Sequence, residues 1–264
     1  MSVFLSFESN PNRRGCLARL RLARPEASNA LRPQDWQLLS THLDDIARHP
    51  QTRAVLVEAE GKAFCAGGDL KTMPERLALP HDVRYEQLLG NAQVILKLRS
   101  LDIPVVASIQ GACMGAGLAL ALACDLRVAA SVATFKAPFH RVGLSCDFGS
   151  SRLLVETVGL SRAMHLLFTE AVLSASEALA FGLVSEVVAD SDLAARVHGL
   201  CANLLHGPGQ AHAATKRAVY AALGSDLGAT IAREAQSQST LSKTRDAEEG
   251  VRAFLEKRAP QFAD

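Results

Sequence analysis

Two glycine-rich segments hold the residues best suited to do chemistry through the backbone. The first runs Gly61-Lys62-Ala63-Phe64-Cys65-Ala66-Gly67-Gly68-Asp69-Leu70, the second Gly111-Ala112-Cys113-Met114-Gly115-Ala116-Gly117. Each follows an apolar, strand-like run, and small residues there let main-chain N–H groups approach a ligand closely. Two such amides converging on one point can hold the negative oxygen of an enolate. Tight turns and close helix packing would select the same small residues, so either segment alone is ambiguous.

The elements that must position these segments read as strands alternating with helices. Leu17 to Leu22 alternates imperfectly and suggests an outer strand. Pro33 fits the first turn of a helix reaching about His49, with Trp36, Leu39, Leu43 and Ile46 on one face. Ala54 to Val57 and Val105 to Ile109 are short continuous apolar runs, the pattern of buried strands. A helix fits Asp82 to Leu98, and another Gly115 to Cys124. Leu126 to Ala129 and Ala133 to Phe135 read as further short strands. Beyond Ser150 the pattern is helical, with a Ser174-x-x-Glu177 capping box and Gly182 ending that helix. From Asp190 to nearly Arg258 it stays helical, broken at Gly207-Pro208-Gly209 and near Gly224. The class predicted is α/β with mostly parallel strands, because parallel crossovers need helices.

Composition narrows the function. The chain has 264 residues, 48% hydrophobic and 21% charged, which argues against disorder. Lysine and arginine total 28 against 27 acidic residues, a net charge of +1, unlike the basic excess of a nucleic-acid binder. The six cysteines form no C-x-x-C pair, so reduced thiols in a cytoplasmic protein are expected and zinc is not. Met1 to Leu5 shows no basic, signal-like start, and Leu118 to Cys124 is too short to span a bilayer, so no membrane role is expected. Leu120 stands where a dinucleotide fingerprint needs its third glycine. Neither a phosphate loop nor a G-x-S-x-G elbow is present.

Together the two segments resemble those of the enoyl-CoA hydratase/isomerase (crotonase) superfamily. The similarity extends to Arg24-Pro25-Glu26-Ala27-Ser28-Asn29-Ala30-Leu31, Ala123 to Arg127, Ala178 to Val184 and Phe254 to Arg258. The resemblance implies an α/β spiral of ββα units with a helical C-terminal region, usually in trimers or pairs of trimers. It implies a core over residues 1–190 with the acyl-CoA site, and a trimerising region over 191–264, in one continuous unit. The substrate implied is an acyl-CoA thioester, with coenzyme A part of the substrate and no separate cofactor. By position, the N–H groups of Ala66 and Ala116 would form the oxyanion hole. Ala63, Gly67, Gly68, Asp69 and Leu70 match positions bordering coenzyme A. Phe254 and Lys257 match positions that approach it from a neighbouring subunit.

The chain departs from the hydratases at both of their glutamates. One position is Ala119 here; the other, after Pro138, is Phe139. Asp147 stands where some isomerases of the superfamily, and an aromatic dehalogenase branch, place a working aspartate. Locally it could equally cap the following helix. With no histidine between Asn91 and Arg99, the dehalogenase chemistry lacks its base. One carboxylate suits double-bond migration, with Asp147 carrying the proton and Phe139 and Phe148 forming an apolar wall that raises its pKa. An atypical hydratase or lyase, with His140 as a polar helper, and a non-catalytic acyl-CoA-binding subunit are the alternatives.

Overall fold

The computed structural model describes residues 2–9 and 15–263. Among the described residues nine strands form two sheets. They are β1 (Val3–Ser9), β2 (Cys16–Leu22), β3 (Thr52–Ala59), β4 (Val105–Ile109), β5 (Ala112–Met114), β6 (Leu126–Ala130), β7 (Thr134–Lys136), β8 (Leu173–Ser174) and β9 (Glu186–Val188). The larger sheet has the order β1-β2-β3-β4-β6-β9, and the smaller β5-β7-β8. Among the described residues only the β1–β2 and β7–β8 pairs are antiparallel.

The chain climbs as a spiral. From β4 it steps into β5 of the small sheet, returns through a helix to β6, and steps again into β7. The turn below does the same: after β3, Cys65 bridges to Cys113 in parallel. Each turn therefore places one glycine segment between the large sheet and the helix that follows.

Among the described residues eleven α-helices connect and cover the strands: α1 (Pro33–Arg48), α2 (Met73–Leu77), α3 (His81–Ser100), α4 (Ala116–Ala123), α5 (Ser150–Val158), α6 (Leu160–Thr169), α7 (Ala175–Ala180), α8 (Leu193–His206), α9 (Gly209–Ala222), α10 (Leu227–Leu241) and α11 (Arg245–Leu255). The central strands of the large sheet are buried on both faces. Leu20, Val55, Val57, Ala107 and Ile109 share one core with residues of α1, α3 and α4. Leu17, Ala54, Leu56, Val106 and Val128 face the other way, onto Leu193, Val197 and Cys201 of α8. Covering both faces is why β3 and β4 are continuous apolar runs rather than alternating ones.

Two expectations are corrected. The strand over Leu17 to Leu22 is not outer: β1 pairs along its whole length, Val3↔Leu22 to Ser9↔Cys16, and takes the edge. Phe4 and Phe7, exposed on that edge, obscure the alternation of β1. The helical tail has a further break at Ser242–Thr244, where the Thr244 hydroxyl caps α11 by accepting from the Ala247 amide. The Ser174 capping box forms as expected, with Glu177 reaching back to the Ser174 amide.

Candidate active site

The loop from Arg24 to Leu31 organises the first glycine segment. Asn29 is buried at φ 54°. Its side-chain amide donates to the carbonyls of Glu60 and Ala63, at 2.8 and 2.9 Å. The Leu31 amide donates to Gly67 O at 2.7 Å, and Leu31 O accepts from the Asp69 amide at 2.9 Å. In this parallel bridge Leu31 spends both its groups on the residues flanking Gly68. The pleat turns the N–H of Gly68 itself to the opposite side, and Gly68 lines a cavity there.

The second segment is laced to the first. The Cys65 amide donates to Ala112 O at 3.0 Å, and the Met114 amide to Cys65 O at 2.9 Å. Glycine is required where the two touch. A Cβ on Gly117 would lie 2.6 Å from Cys65 Cβ, and one on Gly111 1.9 Å from Lys62 O. Gly115, at φ 54°, donates its N–H to Lys136 O and turns the chain into α4. Ala116 is the first residue of α4, so its amide has no partner inside the helix. The helix dipole adds partial positive charge at that end.

One of the expected donors is corrected. The Ala66 amide is already used, donating to Ser28 O at 3.0 Å. Among the described residues Gly68 N–H makes no hydrogen bond, so Gly68, not Ala66, offers the free amide beside Ala116. The approach of the two backbones is close: a Cβ on Gly67 would stand 3.4 Å from Ala116 N.

These amides face a cavity of about 260 Å³. Its walls include Trp36, Leu70, Met73, Phe139 and Phe148, and Trp36 stacks on Phe148 with centroids 4.2 Å apart. Among the described lining residues Asp147 is the sole carboxylate. Its Oδ1 is buried and accepts no hydrogen bond. Burial raises its pKa above the ordinary carboxylate value, against the opposing charges of Arg76 and Arg84. The capping alternative fails: α5 is capped by Gly149, and only the carbonyl of Asp147 engages the helix, accepting from the Ser150 amide.

The remaining candidates divide. Gly67 and Leu70 line the cavity with Gly68. Asp69 is buried and turned away, its carboxylate 2.6 Å from Arg24 Nη2 and accepting from the Lys71 amide at 3.0 Å. Burial acts to raise its pKa, but Arg24 and Lys71 more than offset it. Ala63 is also buried, its carbonyl accepting from Asn29 and Gln110. Phe254 and Lys257, at the exposed end of α11, are not among the residues lining this cavity. His140 is exposed and stacks on Phe168, off the cavity. Ala119 is fully buried inside α4. Arg76 and Arg84, both on the cavity wall, fall in the Met73 to Tyr85 stretch, which the sequence reading assigns to the acyl pocket without singling out either residue. The only signal for them was two arginines in an otherwise featureless stretch.

The description "Enoyl-CoA hydratase/isomerase" belongs to the family model that matches residues 12–264. A Rhodobacter capsulatus protein named "Probable enoyl-CoA hydratase" is 40% identical over 93% of this chain and 94% of its own length. The "Short-chain-enoyl-CoA hydratase" of Clostridium acetobutylicum is 31% identical over 92% and 93%. A solved enoyl-CoA hydratase from Polaromonas sp. JS666 matches with a TM-score of 0.91 at 31% identity, over 98% of this chain and 99% of that one. With its ββα spiral and paired glycine segments, this chain belongs to the enoyl-CoA hydratase/isomerase family of acyl-CoA-processing enzymes.

Proposed function

We propose that the protein shifts a carbon–carbon double bond in an enoyl-CoA thioester, with Asp147 as the proton carrier. The observation that carries this is a lone, partly desolvated carboxylate on the same small cavity as two free amides. The thioester oxygen accepts from Gly68 N–H and Ala116 N–H. Asp147 takes a proton from C2 of a 3-enoyl chain, and the C–H electron pair moves into the carbonyl to give a dienolate. The same carboxyl group returns the proton to C4 as the pair moves back, leaving a 2-enoyl thioester. The raised pKa of Asp147 makes its carboxylate a stronger base and keeps the acid form available for the return. Holding the dienolate oxygen in a water-poor site is where most of the rate gain arises.

Water addition is the second reading, favoured by the hydratase names of the Rhodobacter and Clostridium relatives. It requires Asp147 to serve where hydratases of this superfamily use two carboxylates. The two readings part in one experiment: 3-enoyl- and 2-enoyl-CoA in deuterated water, with wild type and Asp147→Asn. Isomerisation gives the 2-enoyl product with deuterium at C2 or C4, lost in the variant. A 3-hydroxyacyl product alone would establish hydration instead. Thioester binding without exchange would make the protein a carrier.

We also propose assembly as a trimer or a pair of trimers through the C-terminal helices. Leu227, Ile231, Val251, Phe254 and Leu255 support it, since all are large, apolar and mostly exposed on α10 and α11. Phe254 and Lys257 would then serve a neighbour's coenzyme A. Sedimentation of Phe254→Asp, expected to give smaller species, tests this.

A further inference from the structure

We infer that Arg76 binds a carboxylate carried on the acyl group, so that the favoured substrates are monothioesters of short dicarboxylic acids. This rests on the acyl-thioester reading of the cavity, and it names the substrate class. Arg76 closes α2 with only 9% of its surface exposed. Its Nε is buried without a partner, and its guanidinium makes no hydrogen bond or ion pair to the protein among the described residues. A buried cation left so is costly, and such groups are normally paired. The remedy is not inside the chain. Asp147, the one carboxylate on the wall, lies beyond ion-pair distance and remains harder to ionise than usual despite Arg76. Arg84 worsens the case: it donates to Arg76 O at 3.1 Å and adds like charge that, with burial, lowers the Arg76 pKa.

Position identifies the ligand. Arg76 Nη1 lies 3.8 Å from where a Cβ on Gly68 would stand, so the guanidinium is next to the amide that faces the thioester oxygen. The phosphates of coenzyme A are a pantetheine arm away from the thioester and stay toward solvent, where exposed Arg141 is better suited to them. An anion that reaches Arg76 must be part of the acyl group, and close to the reacting carbons. A planar carboxylate fits a guanidinium fork in two parallel hydrogen bonds. It would supply the partner that Arg76 lacks and balance the surplus positive charge of Arg76, Arg84 and Arg141 against Asp147.

The test measures binding by calorimetry, without turnover. The probes are glutaryl-CoA and its terminal methyl ester, titrated into wild type, Arg76→Met and Arg76→Lys. Wild type should prefer the acid by roughly 10²-fold, the scale of a desolvated charge pair. In Arg76→Met the preference should collapse toward one. In Arg76→Lys part of it should survive, since the charge remains without the fork. Equal affinity of wild type for acid and ester overturns the inference, whatever the variants do. So does an Arg76→Met protein that keeps the preference. Deuterium exchange at C2 and C4 that persists undiminished in Asp147→Asn, with the acid preference intact, would sink the isomerase reading and leave this one standing.

Discussion

Substituting Gly67 by alanine should separate the energy of the fold from the energy of catalysis. Gly67 sits at φ +96°, and a Cβ there would lie 2.9 Å from Met114 O and 3.4 Å from Ala116 N. Two costs follow. The left-handed backbone penalises any Cβ by roughly 1–2 kcal/mol, a drop of a few degrees in Tm for a chain of this size. The contact with Met114 O forces the Gly67–Gly68 strand and the Met114–Ala116 turn apart by a few tenths of an ångström. That separation acts on the two amides whose convergence holds the thioester oxygen. Full loss of one such donor costs about 10²–10³ in turnover, roughly 2.7–4 kcal/mol. A partial loss in Gly67→Ala should lower kcat by about 10–10²-fold, bounded by that figure. Because the oxygen gains charge only on the way to the transition state, kcat should fall more than KM rises. Gly159→Ala is the control. It has φ +80° with no atom within 4 Å of its would-be Cβ, and it sits between α5 and α6. It should lose a comparable amount of Tm with no change in kcat. The assay is thioester-dependent deuterium exchange beside thermal melts of both variants. A Gly67→Ala protein with kcat within twofold of wild type, or a Gly159→Ala protein that loses as much turnover, would refute the reasoning.

Other perturbations have a defined sign. The Asp147 pKa is raised in the fold, so its stabilising share is present below about pH 4 and is lost as pH climbs through the raised value. Asp147→Asn lacks that titration, so melts across this window should show the Tm difference moving in favour of the variant. Over the same window wild-type turnover should rise, because the base is the ionised form. Asp125→Ala should destabilise by about 3–5 kcal/mol in urea. Asp125 lies 2.9 Å from buried Lys216 Nζ, and it accepts from Tyr220 OH at 2.6 Å and Val105 N at 2.8 Å. Ser174→Ala should cost about 1 kcal/mol by removing one half of a reciprocal cap, read by the same denaturation.

The large elements were legible because single causes set them. Val105–Ile109 is apolar on both faces since helices cover both, and Pro33 opens α1 where a missing N–H costs nothing. Of the strands of two or three residues, β7 is the one the sequence reading expects; β5, β8 and β9 carry no periodicity and are made by their partners. Asp147 was visible as a candidate, but its local sequence fits a cap equally well. Only the αL turn at Phe148 and Gly149, with φ 52° and 71°, carries the helix start past it and frees the carboxylate. Trp36 read as a core residue on the face of α1, which is true of its burial but hides its place against Phe148 on the cavity wall. No local pattern singles out Arg76, because none says that α2 folds back over Gly68.

Which amide serves as the first donor depends on backbone direction, and composition does not carry that direction. Ala66, Gly67 and Gly68 are all small. The positive φ of Gly67, +96°, breaks the simple alternation of N–H groups that an extended strand would impose between Ala66 and Gly68. The side is set by a partner far back in the chain: Ser28 O takes the Ala66 amide and Leu31 O takes that of Asp69. The Arg24–Leu31 loop therefore consumes the amides on its own side and leaves Gly68 for the cavity. Asn29, pinned at φ 54° by its bonds to Arg24, Glu60 and Ala63, fixes that register. Asn29→Ala removes three hydrogen bonds at a buried site and should loosen the register. Its exchange rate should fall by more than its loss of folded fraction explains, since a one-residue slip would turn the Gly68 amide away from the thioester oxygen. Equal loss of rate and folded protein would show that the loop supports the strand without choosing its register.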